Sequence, residues 1–133
     1  ARDGEVAVNA LEIVGVCLFI AGLLGETVAD RQLKNFVRER DNRGLVCEVG
    51  LWNYSRHPNY FFESVIWLGL GTFALGSPGG AWALISTGIL ITLITQVTGV
   101  PYAEKQSIKS KGDLYRAYQA TTSAFVPWFK KLT

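Results

Sequence analysis

Apolar residues in this chain are gathered into three long stretches, separated by segments rich in polar and charged residues. The stretches span about residues 6–30, 58–76 and 81–100, and no Asp, Glu, Lys, Arg or His occurs within residues 64–103. A helix rises about 1.5 Å per residue, so about twenty residues cross a hydrocarbon core of roughly 30 Å. Helices of soluble proteins average about 11 to 12 residues and carry a polar stripe. The pattern therefore predicts an all-α, multi-pass membrane protein with about three transmembrane helices.

The basic residues are distributed asymmetrically around these stretches. Twelve of the 13 Lys and Arg residues lie in a basic loop at 31–57 and a tail at 101–133, and the other is Arg2. Because basic segments are retained on the cytoplasm-like side, three spans place the amino terminus on the opposite side. The glycine- and proline-rich run at 76–80 predicts a tight turn on that same outer side.

The tail at 101–133 is expected to form a carboxy-terminal interfacial helix. Gly112 can end one helix and Asp113 can cap the next. This arrangement places Tyr115 and Tyr118 on one face of the second helix, where they can lie at the membrane surface.

Acidic residues at the end of the first stretch are the first candidates for chemistry. Glu26 and Asp30 are four positions apart and therefore share one helical face. An acid that faces lipid costs about 3 kcal/mol, which favours an orientation towards the bundle interior. The alternative is an ordinary helical ladder of ion pairs with Lys34.

The start of the second stretch is the next candidate. Pro58 suits the first turn of a helix, which puts His57 at the cap. The free N–H groups of that turn, with Arg56 and His57, can bind a phosphate or carboxylate. The alternative is an arginine that reaches the lipid headgroups and a proline that only starts the helix. Glu63 lies about one and a half turns inside the span, where an acid indicates a functional site.

Other kinds of site find little support. Cys17 and Cys47 are too few for a disulfide framework, and His57 is the only histidine. Neither a zinc-type spacing nor a phosphate-binding glycine loop occurs, and we expect no metal and no nucleic-acid partner. The chain has no methionine, so Ala1 is not expected to be the translation start. Removal of a targeting segment would place the protein in an organelle or outside the cell, whereas a truncation would say nothing about location.

The ordered motifs of the polar segments resemble a known family. They are Ala29-Asp30-x-Gln32-Leu33-x-x-Phe36, Gly50-Leu51-Trp52-x-Tyr54-Ser55-Arg56-His57-Pro58-Asn59-Tyr60-Phe61-x-Glu63, Gly99-Val100-Pro101 with Glu104, and Gly112-Asp113-x-Tyr115-x-x-Tyr118-Gln119 with Phe125-Val126-Pro127. In this order, from about Gly25 to Trp128, they resemble the carboxy-terminal half of the steroid 5-alpha-reductase-like membrane proteins, most closely the bacterial-type branch. The superfamily includes the isoprenylcysteine carboxyl methyltransferases, which share the Arg-His-Pro-x-Tyr element.

This resemblance implies a nucleotide-like cofactor: NADPH in a reductase, or S-adenosylmethionine in a methyltransferase. A reductase would transfer hydride from NADPH to the β-carbon of an enone-bearing lipid, while an acid polarises the carbonyl oxygen. Carried over position by position, the resemblance implies cofactor contacts at Glu26, Asp30, Arg38, Arg56, His57, Asn59, Tyr60, Glu63, Tyr115 and Tyr118. It assigns no catalytic residue.

Two departures from the family pattern leave an alternative function open. Phe62 stands where relatives carry a small glycine, and the resemblance does not include the family's amino-terminal half, which supplies further spans, much of the lipid pocket and the proton donor. One hypothesis is a reductase whose other half was removed or is a separate chain. The other is an inactive remnant, with a bound lipid, that serves as a structural subunit of a larger membrane complex. Mitochondrial, plastid, endoplasmic reticulum and bacterial inner membranes all remain open.

Overall fold

The fold is all-helical, as the sequence predicted. The computed structural model describes residues 10–131. It contains the helices α1 (Ala10–Arg38), α2 (Pro58–Ala74), α3 (Gly80–Thr92), α4 (Gly99–Lys111) and α5 (Asp113–Thr121). Short 3-10 turns occur at Arg40–Asn42 and Gly50–Asn53, in the loop between α1 and α2. Residues 6–9 of the first predicted span, and Arg2, lie outside the described residues.

Two helical segments in the described range are long and apolar enough to cross a membrane. They are α1 and the segment Gly80–Lys111, which contains α3 and α4. α2 has 17 residues and is therefore about 25 Å long, so a third span stays a prediction. α1 continues to Arg38, which makes residues 31–38 of the predicted basic loop helical.

The third apolar stretch differs from its predicted form because its helix does not end at Val100. α3 passes into a π-helical turn at Leu93–Val97, and α4 begins directly afterwards at Gly99. Pro101 is tolerated in the first turn of α4, where a backbone N–H has no partner within the helix. The helix therefore runs on beyond the apolar residues to Lys111.

α1 and α2 pack in antiparallel fashion through small residues. The buried residues of α1 are Gly15, Gly22 and Ala29, whose spacing of seven puts them on one stripe. A Cβ atom at Gly15 would lie 2.7 Å from the carbonyl oxygen of Gly69, and one at Gly22 would lie 2.7 Å from the backbone nitrogen of Ile66. The two backbones are thus close enough to require glycine at the crossing.

The loop before α2 and the tail after α5 meet at one end of the helices. The Trp52 indole Nε1 donates a hydrogen bond to the Ala29 carbonyl at 2.9 Å, which fixes the loop to α1. The Ser55 hydroxyl donates to the Phe125 carbonyl at 2.7 Å, which fixes the loop to the tail. Both basic segments therefore lie opposite the turn at 76–80, in agreement with the predicted asymmetry.

Candidate cofactor site

The site begins at the amino end of α2, where the predicted helix start is confirmed. His57 is the N-cap residue and Pro58 occupies the first turn. The His57 backbone N–H donates to the Ser55 hydroxyl at 3.0 Å, and the His57 carbonyl accepts from the Phe61 N–H at 3.0 Å. These bonds hold the residues at the cap of α2 in a defined position at the polar end of the molecule.

α4 and α5 form the opposite wall, and Gly112 separates them as predicted. Gly112 has φ +54° and is itself the N-cap of α5. The prediction that Asp113 caps α5 is wrong, because Asp113 is the first helical residue and its carboxylate accepts from Arg116 at 2.8 Å. Tyr115 and Tyr118 share one buried face, and their ring centroids are 5.5 Å apart.

Glu104, on α4, is the centre of a network that joins these elements. One carboxylate oxygen accepts from the Arg56 guanidinium and from the Gln119 amide, the latter at 2.9 Å. The other oxygen accepts from His57 Nε2 at 2.7 Å and from the Tyr115 hydroxyl. Each oxygen therefore has two donors, and the carboxylate joins α2, α4 and α5.

The charge state of Glu104 follows from this network, which lies beyond the predicted span. Burial raises the pKa of Glu104, but the hydrogen bonds to its carboxylate and the charge of Arg56 outweigh burial and bring the pKa to about 2. Burial and the bond to Glu104 raise the pKa of Tyr115 well above its usual range. At neutral pH, Glu104 is ionised and Tyr115 keeps its hydroxyl proton.

Arg56 makes several contacts within the protein. Besides its ion pair with Glu104, its Nε donates to the Thr122 carbonyl at 3.0 Å, and its backbone N–H donates to the Ser123 carbonyl at 2.8 Å. An anion that binds Arg56, as predicted, would therefore have to compete with Glu104, because Glu104 already compensates the charge of Arg56.

A cavity of about 660 Å³ opens beside the network. Its walls are the end of α1, the loop that follows, the start of α2 and residues of α4 and α5. The volume lies within the roughly 300–1,000 Å³ of typical ligand pockets. Seven of the ten predicted cofactor contacts line it, namely Arg38, Arg56, His57, Asn59, Tyr60, Tyr115 and Tyr118.

Sequence reasoning missed several residues of this cavity. Arg40, Arg43 and Lys111 line it together with Arg38, whereas Glu39 is the only acid among the described residues of the lining. From the sequence, these cations indicate only the orientation of the chain. The available signal for a ligand site was that Arg38, Arg40 and Arg43 follow one another closely after the end of the first predicted span. Glu104 was part of the resemblance, but nothing in its spacing indicated four donors.

Asn59 offers an acceptor for a ligand. It lines the cavity, and its side-chain Oδ1 is buried without a hydrogen-bond partner among the described residues. An unpaired buried polar atom costs about 1–3 kcal/mol. A ligand that presents an N–H or O–H group to Asn59 would recover this energy. Beside it, the Tyr60 ring lies 5.7 Å from the His57 ring.

The three acids predicted as cofactor contacts are not in the cavity lining. Asp30 is exposed on α1. Glu26 lies within electrostatic range of Glu63, across the contact between α1 and α2. The Phe62 ring packs directly against Gly25 in the same region. Phe62 therefore fills space between the helices next to Glu26.

A comparison with protein families matches nearly the whole chain. A family model described as "Protein of unknown function (DUF1295)" covers residues 1–122. The chain belongs to this family. The matched range of the DUF1295 chain includes Glu104 and all ten predicted contacts. Comparisons with curated proteins and with solved structures find no match. The family description states no activity.

Proposed function

We propose that this DUF1295 chain is a steroid 5-alpha-reductase-like membrane protein that uses NADPH to reduce an enone-bearing lipid. The cavity at the polar end of the helices carries the proposal, because it combines five cations, Arg56 among them, with aromatic rings and a free acceptor in a volume suited to a cofactor. The order of motifs described above adds to this support.

Membrane insertion is supported by the exposure of apolar side chains. Only 11% of the residues in the most apolar window of each candidate span are buried. Leu24 on α1 is 62% exposed and Trp82 on α3 is 73% exposed. In a soluble protein these helices would be covered by a core, whereas lipid can cover them in a membrane.

The charge of the cavity favours NADPH over S-adenosylmethionine. NADPH carries several phosphate charges, whereas S-adenosylmethionine carries a sulfonium cation and no phosphate. Arginine binds phosphate through parallel N–H bonds, and Arg38, Arg40 and Arg43 supply three such side chains. A cationic ligand would be repelled by the same residues.

The residues of the chain have distinct roles in this proposal. NADPH, when bound, supplies the hydride. The Asn59 Oδ1 accepts a hydrogen bond from an amide or hydroxyl of the cofactor, and the rings of Trp52 and Tyr60 offer apolar surfaces against which its flat groups can pack. Glu104 holds the hydroxyl proton of Tyr115, so Tyr115 presents an acceptor oxygen to the cavity.

The proposal is tested by cofactor binding in detergent. A variant with Trp67, Trp82 and Trp128 changed to Phe retains Trp52 as its only tryptophan, and Trp52 lines the cavity. We expect NADPH to change its fluorescence saturably, and Asn59→Ala to weaken binding about tenfold. Asn35→Ala, on the exposed surface of α1, is the matched control. Absence of a saturable change with NADPH would overturn the proposal, and a response to S-adenosylmethionine alone would favour a methyltransferase.

Reduction of the lipid is tested separately. Purified protein is incubated with NADPH and an enone steroid, and the loss of NADPH absorbance is compared with product formation. Turnover would exclude the structural role. If NADPH binds but no enone is reduced, the proposed cofactor binding stands and the proposed reduction of a lipid does not.

One observation favours a structural subunit as the second candidate. Phe62 fills space against Gly25, at a position where the resemblance implies a small glycine. If this ring prevents cofactor binding, Phe62→Gly should bind NADPH while the unmodified chain does not. If neither protein binds NADPH and the chain is isolated only with other membrane subunits, the structural role is favoured.

A further inference from the structure

We propose that Arg38, Arg40, Arg43 and Lys111 form a subsite for a phosphate monoester, and that the 2′-phosphate of NADPH is its ligand. The inference rests on the proposed function, because it assigns one group of NADPH to one wall of the cavity. It differs from the sequence-based expectation, which placed the anion near Arg56 at the start of α2.

Arg56 is unsuited to this role because its charge is already compensated. Its guanidinium pairs with Glu104 and also donates to the Thr122 carbonyl. Its side chain is 12% exposed. A phosphate at Arg56 would have to compete with a carboxylate that is held in place by three further donors.

Unlike Arg56, the four subsite cations have no ion pair with a carboxylate of the described residues. Among the described residues, the ion pairs involve Glu104, Asp113 and Glu48, and none uses a subsite cation. Lys111 makes, with the residues that the structure describes, a single long contact of 3.4 Å to the Ser110 hydroxyl. The four like charges of the subsite therefore face one cavity whose described lining holds a single carboxylate, that of Glu39, and the remaining positive charge favours an anionic ligand.

The positions of these cations explain why side chains must hold the anion. Arg38 is the last residue of α1, and Lys111 is the last residue of α4. Helix carboxyl ends carry partial negative charge, so neither helix end attracts an anion. Arg40 and Arg43 flank the 3-10 turn Arg40–Asn42 at its first residue and its C-cap. The subsite thus joins two chain segments that are distant in sequence.

The number of cations favours a monoester over a diester. A phosphate monoester carries about −1.5 to −2 charge at neutral pH and has three acceptor oxygens. A diester carries a single charge. In NADPH the 2′-phosphate is a monoester, and NADH lacks it. The subsite should therefore distinguish these two dinucleotides.

The test compares the affinities of NADPH and NADH for the protein with Trp52 as its only tryptophan. We expect NADPH to bind at least tenfold more tightly. Arg43→Ala and Lys111→Ala should each weaken NADPH binding about tenfold and leave NADH binding unchanged. Added salt should reduce the preference for NADPH.

Two control variants remove the same charges outside the cavity lining. Arg31→Ala lies on the exposed face of α1, and Lys109→Ala lies on the exposed face of α4. Both should keep the preference for NADPH. If they lower NADPH affinity as much as Arg43→Ala and Lys111→Ala do, NADPH is attracted by the overall positive charge of this surface and not by a subsite. The inference is then overturned.

The remaining outcomes separate this inference from the proposed function. Equal affinities for NADPH and NADH would overturn the subsite and leave the reductase proposal intact. If neither dinucleotide binds, the reductase proposal fails, and 2′,5′-ADP and phosphatidic acid in neutral micelles are tested instead. Binding of 2′,5′-ADP that is lost in Arg43→Ala would support a monoester subsite for a nucleotide. Binding of phosphatidic acid that is lost in Arg43→Ala would support a monoester subsite for a lipid headgroup. Binding of neither would overturn it.

Discussion

Arg56 and Glu104 form an ion pair across 48 positions of sequence and thereby join the residue that precedes the α2 cap to the polar end of α4. Both side chains are mostly buried, with 12% and 17% of their surface exposed. The pair is part of the wall of the cavity, because Arg56 lines it together with His57 and Tyr115, the other partners of Glu104.

Glu104→Gln should destabilise the protein by about 2–4 kcal/mol. The substitution keeps the shape of the side chain but leaves the Arg56 charge in a largely buried place without its partner. The free energy of unfolding in detergent would be measured by denaturant titration. Asp113→Asn is the matched control, since the Arg116–Asp113 pair is exposed and should contribute at most about 0.5 kcal/mol. Equal losses in the two variants would contradict the role assigned to Glu104.

The same carboxylate predicts a dependence of stability on acid. Its folded pKa of about 2 lies below the ordinary value of 4.5, so ionised Glu104 stabilises the folded state fully above pH 4.5. This contribution is lost as the pH falls from 4.5 towards 2. The stability difference between the unmodified protein and Glu104→Gln should therefore shrink over that window. A difference that stays constant between pH 6 and pH 2.5 would contradict the prediction.

The starts and ends of helices at the polar end could be predicted because they follow from local chemistry. Pro58 fixes its own φ and lacks an N–H, which suits only the first turn of a helix. Gly112 adopts a positive φ, which other residues rarely do. The shared face of Tyr115 and Tyr118 follows from helical spacing alone.

The contacts around Glu104 and the crossing of α1 and α2 could not be derived in this way. Glu104 meets His57 across 47 positions, and spacing gives no information on contacts between separate helices. The π-helical turn at Leu93–Val97 precedes Pro101, but hydropathy alone does not indicate where a helix changes its hydrogen-bond pattern. The small residues of α1 do offer a signal, because Gly15 and Gly22 are seven positions apart, but hydropathy alone does not distinguish them from other apolar residues.

Cys47 should react slowly with thiol reagents. Burial raises the pKa of its thiol, and the residue is 8% exposed in the loop outside the spans. The thiolate is the reactive form, so a raised pKa and low exposure both slow the reaction. In a Cys17→Ala variant, labelling by a water-soluble maleimide should be at least tenfold slower in the folded state than in denaturant. Equal rates would show that the loop does not enclose Cys47.

A pair of glycine substitutions tests the packing of α1 against α2. In Gly22→Ala the new Cβ would lie 2.7 Å from the Ile66 backbone nitrogen and 2.8 Å from the Phe62 carbonyl oxygen. Neither backbone atom can move without shifting α2, so we expect a loss of about 1–3 kcal/mol in the free energy of unfolding. In Gly88→Ala, on α3, the new Cβ meets no atom of the described part of the chain within 4 Å.

The control should therefore be neutral or slightly stabilising, by up to about 1 kcal/mol, because alanine favours a helix more than glycine does. Both variants add the same methyl group to an apolar helix, so the difference between them measures the helix contact alone. Thermal unfolding in detergent, followed by the loss of helical circular dichroism, gives the comparison. If Gly22→Ala is as stable as Gly88→Ala, the two backbones do not approach each other at Gly22. The antiparallel contact between α1 and α2, which places the start of α2 beside the cavity, would then be wrong.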